Sequence, residues 1–200
     1  MPPRFRTSLL SACLFCLACL APSVSIAANT GGAGPASDDA SAATGGVGPD
    51  DPRFKPPKKA KLINGIAYAP KGAPPQVVNA IAAANEIVRM PYRYGGGHKS
   101  TFKDSGYDCS GSVSYALHGG GLLTSPLDSS SFMKWGLAGK GRWITVYTNP
   151  GHAFVMIAGL RFDTGFRDNR VRRGTHPGSG PRWGKARPTS GFTARHPKGL

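Results

Sequence analysis

The run Gly106-Tyr107-Asp108-Cys109-Ser110-Gly111 sets a thiol between an acid and a hydroxyl, with small residues beside it. A cysteine is a nucleophile only as its thiolate, and it needs a base that takes its proton and later returns one to the leaving group. Histidine suits both tasks near neutral pH. Five histidines follow the N-terminal region: His98, His118, His152, His176 and His196. His152 is the best placed of them, because it follows the turn Asn149-Pro150-Gly151 and opens the apolar run HAFVMIA, where a rigid strand can fix its ring. His98, in the loop GGGH shortly before Cys109, is placed to line the same cleft. His118 ends the segment after Cys109, where a cation suits a helix C-terminus, and reads as structural. His176 and His196 sit in basic segments without a motif. No histidines or other ligands have metal-site spacing, so neither a metal nor another cofactor is expected.

Local patterns place these residues on elements. In PPQVVNAIAAANEIVRM, Val77, Ile81, Ala84 and Val88 recur at helical spacing until Pro91 stops the helix. A glycine-rich loop, PYRYGGGHKSTFKDSGY, follows. DCSGSVSYALHGGG reads as a second helix with Asp108 as N-cap, Cys109, Val113, Ala116 and Leu117 on one face, and Gly119 to Gly121 at its end. The sulfur then stands in the first turn, at the positive end of the helix dipole, where thiolate is favoured. A short helical segment at 129–135 is expected, capped by Asp128 or Ser129. Beyond Gly141 the pattern turns to strands: RWITVYT, HAFVMIA and LRFDT. Both alternating sets of HAFVMIA are apolar, which places that strand at a sheet centre. GFTARHP reads as a last edge strand interrupted by Pro197.

The rest of the chain bounds where such a site would work. Arg4 and Arg6 precede an apolar run from Leu9 to Leu20, and Ser25 and Ala27 follow, so residues 1–27 read as a secretory signal peptide. Its apolar run is too short to span a membrane, and no later segment is apolar enough. Cleavage removes Cys13, Cys16 and Cys19, which leaves Cys109 without a disulfide partner in an oxidising compartment. The expected location is the periplasm, or the extracellular space and cell wall. Residues 28–61 read as a linker, first Gly/Ala/Ser-rich and then basic at PRFKPPKKAK, and residues 62–200 as one folded domain. Its segment 165–190 is rich in Gly, Arg and Pro, an irregular loop that is either functional or flexible. The formal charge is +15, of which Arg4 and Arg6 contribute two. A basic exported chain favours anionic partners, among them cell-wall polymers. Among ten acidic residues Glu86 is the only glutamate, so glycosidase chemistry with paired carboxylates has few candidates. The basic residues are interleaved with few aromatics, chiefly Phe166 and Trp183, and no nucleic-acid fold signature is present, so only nonspecific polyanion binding is expected there. A monomer is expected.

PYRYGGG, GYDCSGSVSYAL and GHAFVMIAG, in that order over roughly Ile81 to Thr164, resemble the conserved blocks of the NlpC/P60 family of cell-wall cysteine peptidases. The resemblance implies a reduced papain-like α+β fold with the nucleophile helix packed on a central antiparallel sheet. It implies Cys109 as nucleophile, His152 as general base, and Tyr92 as a hydroxyl that helps stabilise the oxyanion. Asp108 and Ser110 match positions that contact the peptide, the acid being suited to a free amino group, although Asp108 also serves as a cap. The family's third polar residue is usually His, Asn or Gln on the strand after the base. This sequence departs from that pattern. LRFDT offers Asp163 or Thr164, and Asp163 better stabilises a protonated imidazole. Alternation puts Arg161 on the same side, so an ion pair with Asp163 competes with that role. The function implied is an exported peptidoglycan hydrolase that cuts an amide bond in the peptide stem through a Cys109 acyl-enzyme. The rival reading is a non-catalytic wall-binding module of the same fold, motivated by the unusual third position and the arginine-rich loop.

Overall fold

The structure is a computed structural model that describes residues 58–166 and 180–200. The expected signal peptide, the expected linker as far as residue 57, and residues 167–179 of the basic loop lie outside the described residues. The linker boundary at residue 61 shifts. Ala60 is buried and its N–H donates to the Ala158 carbonyl at 2.8 Å, and Lys61 already belongs to a strand.

Asn64 and Gly65 have φ of 49° and 82°, the left-handed pair that a two-residue hairpin turn requires. They close β1 (Lys61–Ile63) onto β2 (Ile66–Tyr68), a hairpin that the Asn-Gly signal announces and that the sequence reading passed over. α1 (Pro75–Ile87) starts on a proline, whose missing N–H has no partner to lose in a first turn, and it buries Val77, Ala80, Ile81, Ala84 and Ile87. α2 (Cys109–Gly119) packs across it so closely that a Cβ on Gly119 would lie 2.2 Å from the Ala83 Cβ. His118, near the end of α2, stacks on Phe102 at 3.9 Å between ring centroids, and its Nδ1 is 2.9 Å from the Leu123 carbonyl. α3 (Ser129–Phe132) is shorter than the expected 129–135 and is capped by Asp128, which accepts from the Ser131 N–H at 2.6 Å.

One six-stranded antiparallel sheet carries the rest, in the order β3 (Leu137–Ala138), β8 (Thr193–His196), β4 (Ile144–Asn149), β5 (His152–Ile157), β6 (Leu160–Asp163) and β7 (Arg182–Gly184). β5 lies inside it, paired along its full length with β4 from Asn149 opposite His152 to Ile144 opposite Ile157. Two expectations are corrected. GFTARHP is not an edge strand, because Ala138 and Leu137 pair with Arg195 and His196 on the side away from β4, and Pro197 comes only after the last pairing. The segment 165–190 is not wholly irregular, since Arg182 to Gly184 pair with β6.

Ala153, Val155 and Ile157 project to one face of the sheet with Ile144, Val146 and Phe162, and join Val77, Ile81, Val113 and Leu117 of the helices in the main core. On the other face Phe154 stacks with Tyr147 at 5.2 Å and meets Phe192 edge-on at 5.2 Å. This is an α+β unit with α2 packed on an antiparallel sheet. Among the described residues no helix is long and apolar enough to cross a membrane. Phe162 has no solvent exposure and packs on Trp183 at 4.8 Å. Phe162→Ala is therefore expected to lower the unfolding free energy by about 3–5 kcal/mol in urea titrations, whereas truncating a solvated ring such as Tyr94 should change it by less than about 0.5 kcal/mol.

Candidate active site

Cys109 owes its place to the start of α2. Asp108 is extended (φ −88°, ψ −172°) and its Oδ1 accepts the Gly111 N–H at 2.7 Å, which leaves Cys109 as the first helical residue. The glycine loop is fastened to the same cap. The Gly95 N–H donates to Asp108 Oδ2 at 3.0 Å, and the Asp108 N–H donates to the Gly96 carbonyl at 3.1 Å. No side chain fits between loop and helix, for a Cβ on Gly111 would stand 2.0 Å from the Gly96 oxygen.

The first two residues of β5 meet the thiol. The His152 ring and the Ala153 N–H stand beside Cys109 and favour its thiolate. Burial alone would raise the thiol pKa, but these two contacts and the imidazolium charge outweigh it, and the thiol titrates below its ordinary value. Nε2 of His152 is 2.8 Å from Asp163 Oδ1. An ionised carboxylate only accepts, so Nε2 carries a proton and Nδ1 is the nitrogen left to face sulfur. Burial would lower the imidazole pKa, yet the Asp163 hydrogen bond and the neighbouring Cys109 carry it up to about 9. Cys109, His152 and Asp163 thus form one chain of contacts that stabilises a thiolate–imidazolium pair.

Asp163 is fully buried. Burial would push its carboxyl up, but the His152 contact, the Gly165 N–H at 2.7 Å and the Arg161 charge hold it below the usual range. Its Oδ2 faces two guanidinium groups, Arg161 Nη1 and Arg187 Nη1, each at 3.6 Å. The two roles weighed for Asp163, partner of the imidazole and partner of Arg161, are divided between its two oxygens. Thr164 is buried next to it.

The remaining candidates collect on the other side of Cys109. His98 Nε2 lies 3.0 and 3.2 Å from the Asp108 oxygens and 3.3 Å from Ser110 Oγ, which in turn is 3.3 Å from Asp108 Oδ1. The Asp108 hydrogen bond raises the His98 pKa. Asp108 is buried and its carboxylate already receives the Gly95 and Gly111 N–H groups besides His98 and Ser110, so it acts as cap and loop anchor. Tyr92 forms a bridge to Tyr107, is half-buried, and has its phenol pKa raised by burial and then by the charge of Cys109. Arg187 and the N–H groups of Ala153 and Gly165 escaped the sequence reading. Arg187 had only its charge to signal it, and backbone N–H groups leave no mark in residue type. His196, with Nδ1 3.1 Å from the Gly139 carbonyl, stands on β8, and His118 packs at the far end of α2.

No family model and no curated protein matches the chain. Among solved structures it is similar to the peptidoglycan hydrolase RipB from Mycobacterium tuberculosis, at 22% identity over 60% of this chain and 64% of that one, with a TM-score of 0.43. The chain therefore spans a little under two thirds of that relative. A hypothetical invasion protein of M. tuberculosis is similar at 20% identity over 68% and 71% of the two chains, with a TM-score of 0.41. An NlpC/P60 family protein from Bacillus cereus is similar at 16% identity over 64% and 41%, also with a TM-score of 0.41. What the site can do is set by this chain's own residues.

The pKa directions fix the sign of the pH dependence. The thiolate–imidazolium pair exists above the depressed thiol pKa and is lost as His152 deprotonates near 9. His152, raised from 6.5, contributes stability that is complete below 6.5 and disappears as pH climbs through about 9. Asp163, depressed from 3.8, contributes stability above that value and loses it as pH falls through its lower folded pKa. Iodoacetamide should accordingly alkylate folded Cys109 at a lower pH than it alkylates an ordinary thiol. In Asp163→Asn the alkylation profile should move to higher pH. A Cys109 that reacts like a free thiol in the folded wild type refutes the pairing.

Proposed function

We propose that this chain is an exported peptidoglycan hydrolase of the NlpC/P60 type, which cleaves an amide bond in the peptide stem with Cys109 as nucleophile. The observation that carries the reading is the contact chain from Cys109 through His152 to Asp163, in which the acid sits where this sequence departs from the family pattern. Asp163 holds the Nε2–H tautomer, so Nδ1 accepts the thiol proton and the sulfur attacks as thiolate. The carbonyl oxygen becomes an oxyanion, stabilised by the positive end of α2 and by the Tyr92 hydroxyl. His152 gives its proton to the departing amine, a thioester to Cys109 remains, and water activated by the same imidazole releases the acid. The half-buried His98 and the Ser110 hydroxyl border the peptide on the other side of the sulfur, and Asp108 orients both. Residues 1–27 deliver the chain to the wall.

The test is digestion of purified peptidoglycan with mass analysis of the released fragments. Wild type should cut stem peptides, Cys109→Ala should abolish the cut, and His152→Ala should lower kcat/KM by about 10²–10⁴-fold. Glycan fragments in place of stem cleavage, or undiminished activity in Cys109→Ala, would remove the proposal. Retention on peptidoglycan with no products from wild type would select the binding-module reading instead.

A further inference from the structure

Every side-chain carboxylate among the described residues is engaged away from the N-terminal hairpin. Glu86 accepts from the Tyr115 hydroxyl at 2.6 Å, Asp104 pairs with Lys99 at 3.1 Å, and Asp108 with His98 at 3.0 Å. Asp128 caps α3 and Asp163 holds His152. Lys58, Lys59, Lys61 and Lys71, by contrast, are in no ion pair among the described residues. With Tyr68 and Pro70 these four lysines line a cleft of about 430 Å³.

Their backbone and stems are held by the fold. Ala60, between Lys59 and Lys61, is buried and bonded to the Ala158 carbonyl. The Lys59 stem lies over Gly159, where a Cβ would come within 2.9 Å of its Cγ. Lys61 stands directly opposite Tyr68 in the hairpin register, so charge and ring share one face. Aliphatic stems can rest on the protein while the ammonium groups remain in water. Four cations around one concavity, in no ion pair among the described residues, repel one another, and a ligand with several negative groups relieves that repulsion. Tyr68, 53% exposed, adds an uncovered ring to the wall. The cleft neighbours the Ala158–Gly159 end of β5, about 20 Å along the strand from His152 at 3.3 Å per residue, so a ligand there need not compete at Cys109.

We propose that this cleft is a second binding site, for a flexible polymer that carries repeated phosphate or carboxylate groups. Ammonium groups act as separate point charges without the planar fork of arginine, which suits single anionic groups spaced along a chain. A concave site also admits a polymer strand more readily than the flat face of a bilayer. The inference does not rest on the hydrolase reading, because it uses none of the residues around Cys109.

The full chain can be titrated calorimetrically with a glycerol-phosphate oligomer and, separately, a galacturonate oligomer at about 50 mM salt, and the arm that binds identifies the anion. Lys58→Gln/Lys61→Gln/Lys71→Gln should weaken that binding at least about tenfold and flatten its salt dependence. A charge-matched control at exposed lysines elsewhere, Lys134→Gln/Lys140→Gln/Lys198→Gln, should weaken it less than about threefold. The iodoacetamide rate of Cys109 should equal that of wild type in both variants, so a failed hydrolase reading and a failed cleft remain distinct. Equal loss in the two triple variants, binding of neither oligomer, or tighter hairpin-dependent binding to phosphatidylglycerol vesicles overturns the proposal.

Discussion

A carboxylate with no solvent exposure ends β6, and the rest of the site is arranged around its charge. Taking such an ion out of water costs several kcal/mol unless it is matched by charge and hydrogen bonds. Asp163 Oδ1 accepts from the imidazole and the Gly165 N–H, while Oδ2 has no hydrogen bond and is answered by charge alone, from two guanidinium groups at 3.6 Å. Arg161 comes from β6 itself and rests on the Phe166 ring at 4.0 Å. Arg187 comes from beyond β7 and lies over Phe154 and Phe192 at 5.5 and 5.4 Å. The outer face of the sheet is thus held together by the same charge that orients the base, and stability and chemistry share one interaction.

The thiol stands between two acid–imidazole pairs with different tasks. Asp108 and His98 lie at the cap of α2, where the carboxylate is occupied by backbone N–H groups and acts mainly to fix the loop and the helix start. Asp163 and His152 lie at the sheet, where the imidazole is free to face sulfur through its second nitrogen. The charge of Asp108 opposes ionisation of Cys109 and that of the His152 imidazolium favours it. The second wins because His152 and the Ala153 N–H both act on the sulfur and because the Asp108 charge is already answered by four donors.

Much of the scaffold is written in local patterns. The face of α1, the Asp108 cap and the interior position of β5 follow from periodicity and capping rules that need only a few neighbouring residues. Short elements carry too few residues to declare themselves. The strands of the Asn64-Gly65 hairpin and β7 are only three residues long, too short to show a period, and β8 reads as an edge because the two-residue β3 that covers it has no pattern of its own.

The sequence alone determined which groups are chemically able: one cysteine at a helix start, one histidine at the mouth of an apolar strand, and an acid at the end of the strand that follows it. Residue type and spacing are local properties, so they survive without coordinates. Only the tertiary structure decided how those groups are shared. It assigned the two oxygens of Asp163 to different partners, brought Arg187 to the site from beyond β7, and filled the carboxylate of Asp108 with loop N–H groups. Each of those outcomes depends on strand pairing and loop closure between residues far apart in the chain, which no short window of sequence contains.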